Sequence, residues 1–491
     1  MARACHPGGA VRAGRTSSLH SRLVAAAWDR RSAAQLRSAR EAALRAQLVD
    51  AVGPFSPFWR QRLTDLGGAA QTAGTPAGLA ELPAVGERDV CPDGDPRGAA
   101  ALVLQAGERG WVLHAEGPRL RRALVRRLVA PRSYAAVVEA DTRATSFVWA
   151  GLGMRFPVAS TRGDLDVVAR VGARLWQVLG LTRADVLVAS APDLPDAEHQ
   201  ALSLAALGAG APALFTAPDP GALAGALRLL PATVLALPSA AAGDLLHDLA
   251  RARAPLAGLR TVLLVGAPST AEREHVAQVL DRAGAGDAVA LAVHVADGHR
   301  LPWAQCRESA ASDQGLHAMP DLEVLHVVDP ETGEATAGAG ELVLTQLGLR
   351  GSALVRWRTG DLVEAVVEDP CPACGRRVPR VLGLRRNPLV HELQLREGTR
   401  AVDLRAVTAA LAGRGDLADW RVELALSPRD RTDELLVHVV PGRSRDPVGV
   451  AVAVARDVQA VAGLLPTQVV LAAPGELPDA AGPTRRVLAD R

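Results

Sequence analysis

The chain has 491 residues, 48% of them apolar, and a formal net charge of only +2. All 55 basic residues are Arg, which excludes Schiff-base or pyridoxal chemistry through a lysine, an intact G-x-x-x-x-G-K-[ST] phosphate loop, and a lysine general base. The near-balance of charge gives no reason to expect nucleic acid or a membrane as partner, and the length argues for two or three domains of roughly 100–200 residues each.

The first residues, MARACHPGGAVRAGRTSSLHSR, are basic and lack the apolar core of a secretory signal, so positions 1–20 read as a disordered tail on a cytoplasmic protein. Five cysteines, an odd number, fit a reducing compartment better than a disulfide framework. Leu23 to Val49 is rich in Ala, Leu and Arg with apolar residues three and four apart, which predicts a helix. Pro54 to Leu63 places three aromatics beside a short basic helix. Leu102 to Val137 predicts a strand-like segment and then a helix dense in arginine (Arg119, Arg121, Arg122, Arg126, Arg127, Arg132); these fit a phosphate-binding stripe, but a solvated helix face is the plainer reading.

From Phe147 to about Val367, apolar runs (DVLVAS, APALFT, TVLALP, TVLLVG) alternate with helical stretches, which predicts a parallel layered α/β sheet. EVLHVVD, ELVLTQL and ALVRWRTGDLVEAVVE then predict a β-rich subdomain joined by the turn-forming PETGEATAGAG. A composition break at Pro370 to Pro388 precedes a smaller α+β unit: a helix near Asp403 to Ala412, strands at RVELALS and ELLVHVV, a helix from Asp446 to Ala462, and a strand at TQVVLAA. The expected organisation is the tail, a large domain over 21–383, and a lid over 384–491.

Two motifs carry chemistry. In Cys371-Pro-Ala-Cys374-Gly, two thiolates three apart on a tight turn can face one tetrahedral zinc ion. Cys306 and His317, in the irregular stretch before EVLHVVD, would complete a closed Cys3His site of structural type; a free reduced pair is the plainer reading. In LVRWRTGDLV, Asp361 is placed to accept two hydrogen bonds from a vicinal diol such as ribose, and Arg358 to hold a phosphate or carboxylate, although an ordinary turn with a surface Asp accounts for the same residues.

The stretch from Gly315 to Gly383 resembles the core of the phenylacetate:CoA ligase family, a branch of the adenylate-forming, AMP-binding ligases. It carries G-L-H, D-P-E-T-G-E, G-E-L-V-x-T, R-W-R-T-G-D and C-x-x-C-G-R in that family's order, with PFWRQRL, STRGDLD, VLLVGAPST and GELPDAAGPTRRVL at fitting places elsewhere. The resemblance implies a large N-terminal domain, a small rotating lid, and a reaction that joins a carboxylic acid to ATP with loss of pyrophosphate and then passes the acyl group to a thiol, such as that of CoA, or to an amine. It implies that Asp361 binds the ribose of the nucleotide, and that Cys306, His317, Cys371 and Cys374 occupy positions where members carry a structural metal.

Several phosphate-handling residues depart from the pattern. The loop S-S-G-T-T-G-K-P is here WAGLGMRFP, leaving Gly151 and Gly153 as backbone donors and Arg155 as the nearest cation. The magnesium-binding Glu is absent from Ala296 to Trp303, where Asp297 is the nearest carboxylate and Arg300 a neighbouring cation. The hinge G-R-S-D-D is Gly383-Leu384-Arg385-Arg386-Asn387, and the lid lysine falls at Pro483, with Arg485 nearby. Expected partners are therefore a small carboxylic acid and ATP, with zinc as structural ion, CoA as one acceptor, and a homodimer among the expected states. The functional expectation is a divergent ligase; the alternative is a weakened member that binds a nucleotide or acyl compound as a regulator or scaffold.

Overall fold

A computed structural model describes residues 28–489 apart from 68–72, 93–94, 115–116, 152–154, 191–196, 331, 387–389, 396–397, 428–431, 443–445, 474–475 and 478–486. The tail at 1–20, Gly153, Pro483 and Arg485 lie outside the described residues. Helix α1 (Ala33–Gln47) starts at Ser32, whose hydroxyl accepts from Gln35 N while the Gln35 side chain accepts from Ser32 N, a reciprocal capping box. The strand-like segment near Leu102 does not form a strand: a 3-10 helix over Pro96–Leu102 ends there, and Val103 makes an isolated bridge to Ser352. Helices α2 (Gly117–Val129) and α3 (Pro131–Thr142) follow, and Pro131 at the start of α3 separates them.

A two-stranded hairpin, β1 (Ala144–Ala150) and β2 (Phe156–Thr161), leads into α4 (Arg162–Val178). Thr161 and Asp164 cap α4 reciprocally, and Asp164 also accepts from the backbone N–H groups of Arg350 and Gly351 at 2.6 and 2.7 Å. One cap therefore fixes both a helix start and a distant loop. The central sheet has nine strands in the order β13-β14-β9-β8-β7-β6-β5-β3-β4. Its parallel part is β3 (Leu187–Ser190), β4 (Ala213–Thr216), β5 (Val234–Pro238), β6 (Thr261–Val265) and β7 (Val289–His294). The crossovers are α5 (Ala197–Ala209), α6 (Pro220–Leu229), α7 (Ala242–Arg251) and α8 (Thr270–Arg282), as a parallel sheet covered by helices requires. The pairing turns antiparallel through β8 (Trp303–Ala304), β9 (Leu316–His317), β14 (Arg380–Leu382) and β13 (Ala365–Val367).

Helices α4 and α5 pack with almost no space between them: a Cβ on Gly172 would lie 2.1 Å from Ala205 Cα, and one on Gly208 would lie 1.6 Å from Ala169 O. Aromatics make up only 3% of the chain, and small residues with Leu and Val side chains fill the layers. A second sheet, in the order β10-β11-β12-β15, is the β-rich subdomain: β10 (Glu323–Val328), β11 (Gly340–Gln346), β12 (Trp357–Val363) and β15 (Arg385–Arg386). Because β15 pairs with β12, sheet pairing of the large unit runs past 383. The last unit holds the hairpin β16 (Val390–Leu395) and β17 (Gly398–Asp403), α9 (Leu404–Ala412) and α10 (Pro447–Ala462). Its sheet is built from β18 (Leu417–Leu426), β19 (Asp433–Pro441), β20 (Gln468–Leu471) and β21 (Val487–Ala489) in the order β20-β19-β18-β21, with its own core around Leu404, Val422, Val437 and Val454.

Candidate functional site

The Thr-Gly-Asp turn is a bulge inside β12. Pairing with β11 shifts register between Glu341 and Val343, and Gly360 adopts φ +70°, a conformation that favours glycine. Thr359 Oγ1 donates to Leu342 O and accepts from Asp361 N, and Gly360 N donates to Glu341 Oε1. The bulge carries the Asp361 carboxylate to the C-terminal end of β7, where Oδ2 lies 2.8 Å from His294 Nε2, both side chains being fully buried. Arg358 has a different partner: its Nε and Nη2 donate to Glu341 at 3.0 and 2.5 Å, and Nη2 also donates to Pro330 O.

Three residues beyond His294, Asp297 meets the glycine-rich hairpin. Its two oxygens accept from Gly151 N at 2.9 and 3.1 Å, and Gly151 stands at φ +98°. The backbone donor that sequence assigned to an anion is thus engaged by a carboxylate, while Arg155 is exposed at the start of β2. Arg300 is turned away from this point. Its buried guanidinium donates to Ala159 O, Ser352 O and Gln346 Oε1, tying β2 to the second sheet, and burial pulls its pKa down against the opposing pull of Asp164. His299 and Trp303 are held by Glu323, which lies 2.6 Å from His299 Nε2 and accepts from Trp303 Nε1 and Met319 N. Beside these strands a shallow cleft of about 10 Å³, room for about one water, is lined by Gly266, Pro268, Ala292, Leu316, Gly383 and Leu384.

Sequence reasoning missed His294 and Glu323. His294 ends the apolar run VALAVH, a β7 signal that was legible but unread; Glu323 looked like the ordinary first residue of a strand.

The cysteines and histidine converge. Ligand atoms of Cys306, His317, Cys371 and Cys374 all lie within 4.8 Å of one another, with three of the four residues buried. The Cys306 and Cys371 sulfurs are 3.9 Å apart, and Cys374 Sγ is 3.6 Å from His317 Nε2. Tetrahedral zinc with Zn–S near 2.3 Å and Zn–N near 2.0–2.1 Å sets these separations at about 3.8 and about 3.6 Å, so the donor set fits such an ion. The turn that presents the pair is closed by Gly375 N donating to Cys371 O and Cys371 N donating to Arg376 O. The hydrogen bond shared with Cys306 and the His317 ring draw the Cys374 thiol well below the ordinary thiol range, whereas that hydrogen bond and burial push Cys306 up. His317 Nδ1 has no hydrogen-bond partner among the described residues, and pairing of β9 with Arg380 and Ala304 fixes the backbone that carries the ring.

No protein-family model matches the sequence, and no curated protein is found similar to it. Solved structures do match. A 2-hydroxyisobutyryl-CoA ligase in complex with 2-HIB-AMP and CoA, in its thioesterification state, aligns over 95% of this chain and 92% of its own at 17% identity with a TM-score of 0.62. The same ligase in its postadenylation state with R3-HIB-AMP gives 0.56 at 18% identity over 95% and 92%, and an open conformation gives 0.54 at 17% over 93% and 91%. The chain has the two-domain fold of adenylate-forming ligases.

Proposed function

We propose that this chain is a weakened carboxylate-activating ligase, which joins a carboxylic acid to ATP as an acyl-adenylate and passes the acyl group to a thiol such as that of CoA, or to an amine. The observation that carries this reading is the convergence of three separate segments at the C-terminal end of β7: Asp361 on His294, and Gly151 on Asp297 three residues further on. Ligands of open α/β sheets bind at such strand ends. In the reaction the acid's carboxylate oxygen bonds to the α-phosphorus as pyrophosphate leaves, and the acceptor's thiol or amine then bonds to the acyl carbon as AMP leaves.

Each side chain has a derivable task. Asp361 accepts from the ribose hydroxyls once His294 yields part of its hold. Gly151 and Gly153 offer backbone N–H groups to phosphate, with Arg155 and Arg485 as the cations and Arg358 fixing the strand beneath through Glu341. Cys306, His317, Cys371 and Cys374 hold zinc in a structural role, because four protein donors leave no coordination position for a reactant.

Weakness follows from electrostatics. The loop has lost its hydroxyls and lysine, and Gly151 N must be released from Asp297 before it can meet a phosphate. Losing one well-placed donor costs on the order of a hundredfold in rate. The Gly151–Asp297 contact also favours a second reading, in which the chain binds a nucleotide or acyl ligand without turning it over. ATP–pyrophosphate exchange with a panel of carboxylic acids tests the pair. Slow exchange that Asp361→Ala abolishes supports the ligase, while calorimetric ATP binding with no exchange supports the second reading. Failure to bind nucleotide overturns the ligase, and failure to bind either a nucleotide or an acyl compound overturns both.

A further inference from the structure

Helix α2 carries a concentration of positive charge. Between Gly117 and Val138 the sequence has six arginines and no acidic residue, so this segment alone carries a charge of +6 on a chain whose total is +2. One flank packs through Leu120 and Ala123 onto Trp111, Tyr134 and Val138, and Trp111 Nε1 is anchored to Asp141 at 2.7 Å. The opposite flank exposes Leu124, Val125, Leu128 and Val129, the last two at 87% and 80% of full exposure. Arg121 and Arg126 on the same helix are exposed and form no ion pair among the described residues, whereas Arg127 stacks over Tyr134. At 100° per residue, Leu124, Leu128 and Val125 form one outward stripe with Arg121 within it, and Arg126 stands beyond Val129 at its border.

An exposed apolar stripe bordered by unneutralised arginines is the pattern of a helix that lies in a membrane interface. We propose that the outward half of α2 docks on an anionic membrane surface, with Leu124, Val125, Leu128 and Val129 entering the boundary between headgroups and acyl chains and Arg121 and Arg126 pairing with lipid phosphates. A second copy is disfavoured, because a self-complementary contact would bring two such +6 segments together. A folded acidic protein fits less well. A helix of 13 residues offers a strip about 20 Å long and 10 Å wide, roughly a quarter of the ~800 Å² per partner that a stable protein interface uses. Among the described residues no helix is long and apolar enough to cross a membrane, and the proposed contact is a peripheral one.

The test is co-sedimentation of the full chain with vesicles of phosphatidylcholine alone and of phosphatidylcholine with roughly one third phosphatidylglycerol. The expected result is a partition coefficient at least about tenfold higher on the anionic vesicles, collapsing in about 0.5 M salt. Arg121→Glu with Arg126→Glu, and separately Leu128→Glu, should each remove at least about tenfold while leaving the melting temperature unchanged, since these side chains touch solvent. Equal binding to both vesicles, or binding that the variants do not alter, overturns the proposal. So does a dimer in solution that Leu128→Glu splits, because the stripe would then be covered by a second copy.

Discussion

Replacing Asp297 by Ala removes a carboxylate whose oxygens sit 2.9 and 3.1 Å from Gly151 N. A hydrogen bond to a charged group is worth about 1.5–3 kcal/mol, and a carboxylate about 4–5 Å from a phosphate repels it by about 3–4 kcal/mol at an effective dielectric of about 20. Both terms vanish in the variant. Part of the repulsion is screened and the loop relaxes, so the lower end governs: AMP or ADP should bind at least about tenfold tighter, at about 1.4 kcal/mol per decade. Isothermal titration of wild type and Asp297→Ala, first without and then with magnesium, measures this directly. Weaker nucleotide binding in the variant without magnesium would refute the reasoning. Weakening confined to the magnesium titration would instead make Asp297 a cation ligand.

Chelation, or Cys374→Ser, should release about one equivalent of zinc per chain and lower the melting temperature, measured by elemental analysis and calorimetry; fewer than about half an equivalent in the purified protein would exclude a zinc site. Gly172→Ala places a methyl 2.1 Å from Ala205 Cα, so it should cost about 1–3 kcal/mol or more in denaturant unfolding despite its small size. Burial first, and then Arg356, holds His326 down to about 4. The unfolded chain therefore binds the extra proton between about pH 6.5 and about pH 4, so stability is full above that window and falls as pH drops through it, by up to about 3 kcal/mol. His326→Gln should flatten that limb of the stability profile.

The sheet was legible because its runs obey period and length: DVLVAS, APALFT, TVLALP and TVLLVG match β3, β4, β5 and β6 within two residues at each end. The four cysteine and histidine ligand candidates were legible because donor chemistry narrows the choice, although two of them came from a stretch with little regular structure. Near Leu102 the apolar run misled, because Pro96 and Asp95 start a 3-10 turn that uses the same apolar residues to plug a core. Partners were the part that sequence withheld. Nothing local to Asp361 points to His294, nothing in WAGLGMRFP points to Asp297, and Glu341 faces Arg358 only because a bulge offsets two strands. Long-range hydrogen bonds of this kind are set by register and crossover, which a linear pattern does not encode.

The Cys/His cluster also has a mechanical meaning. Cys374 is followed within a few residues by β14, which pairs with His317 and ends immediately before Gly383, where φ is +59° and a Cβ would strike the Glu364 side chain at 2.3 Å. The last strand before that glycine is therefore pinned at both edges, by β13 on one side and by β9, which carries His317, on the other. A pull on the chain at Gly383 is therefore shared between two sheets, the central one through β14 before the glycine and the second one through β15, which pairs with β12 directly after it.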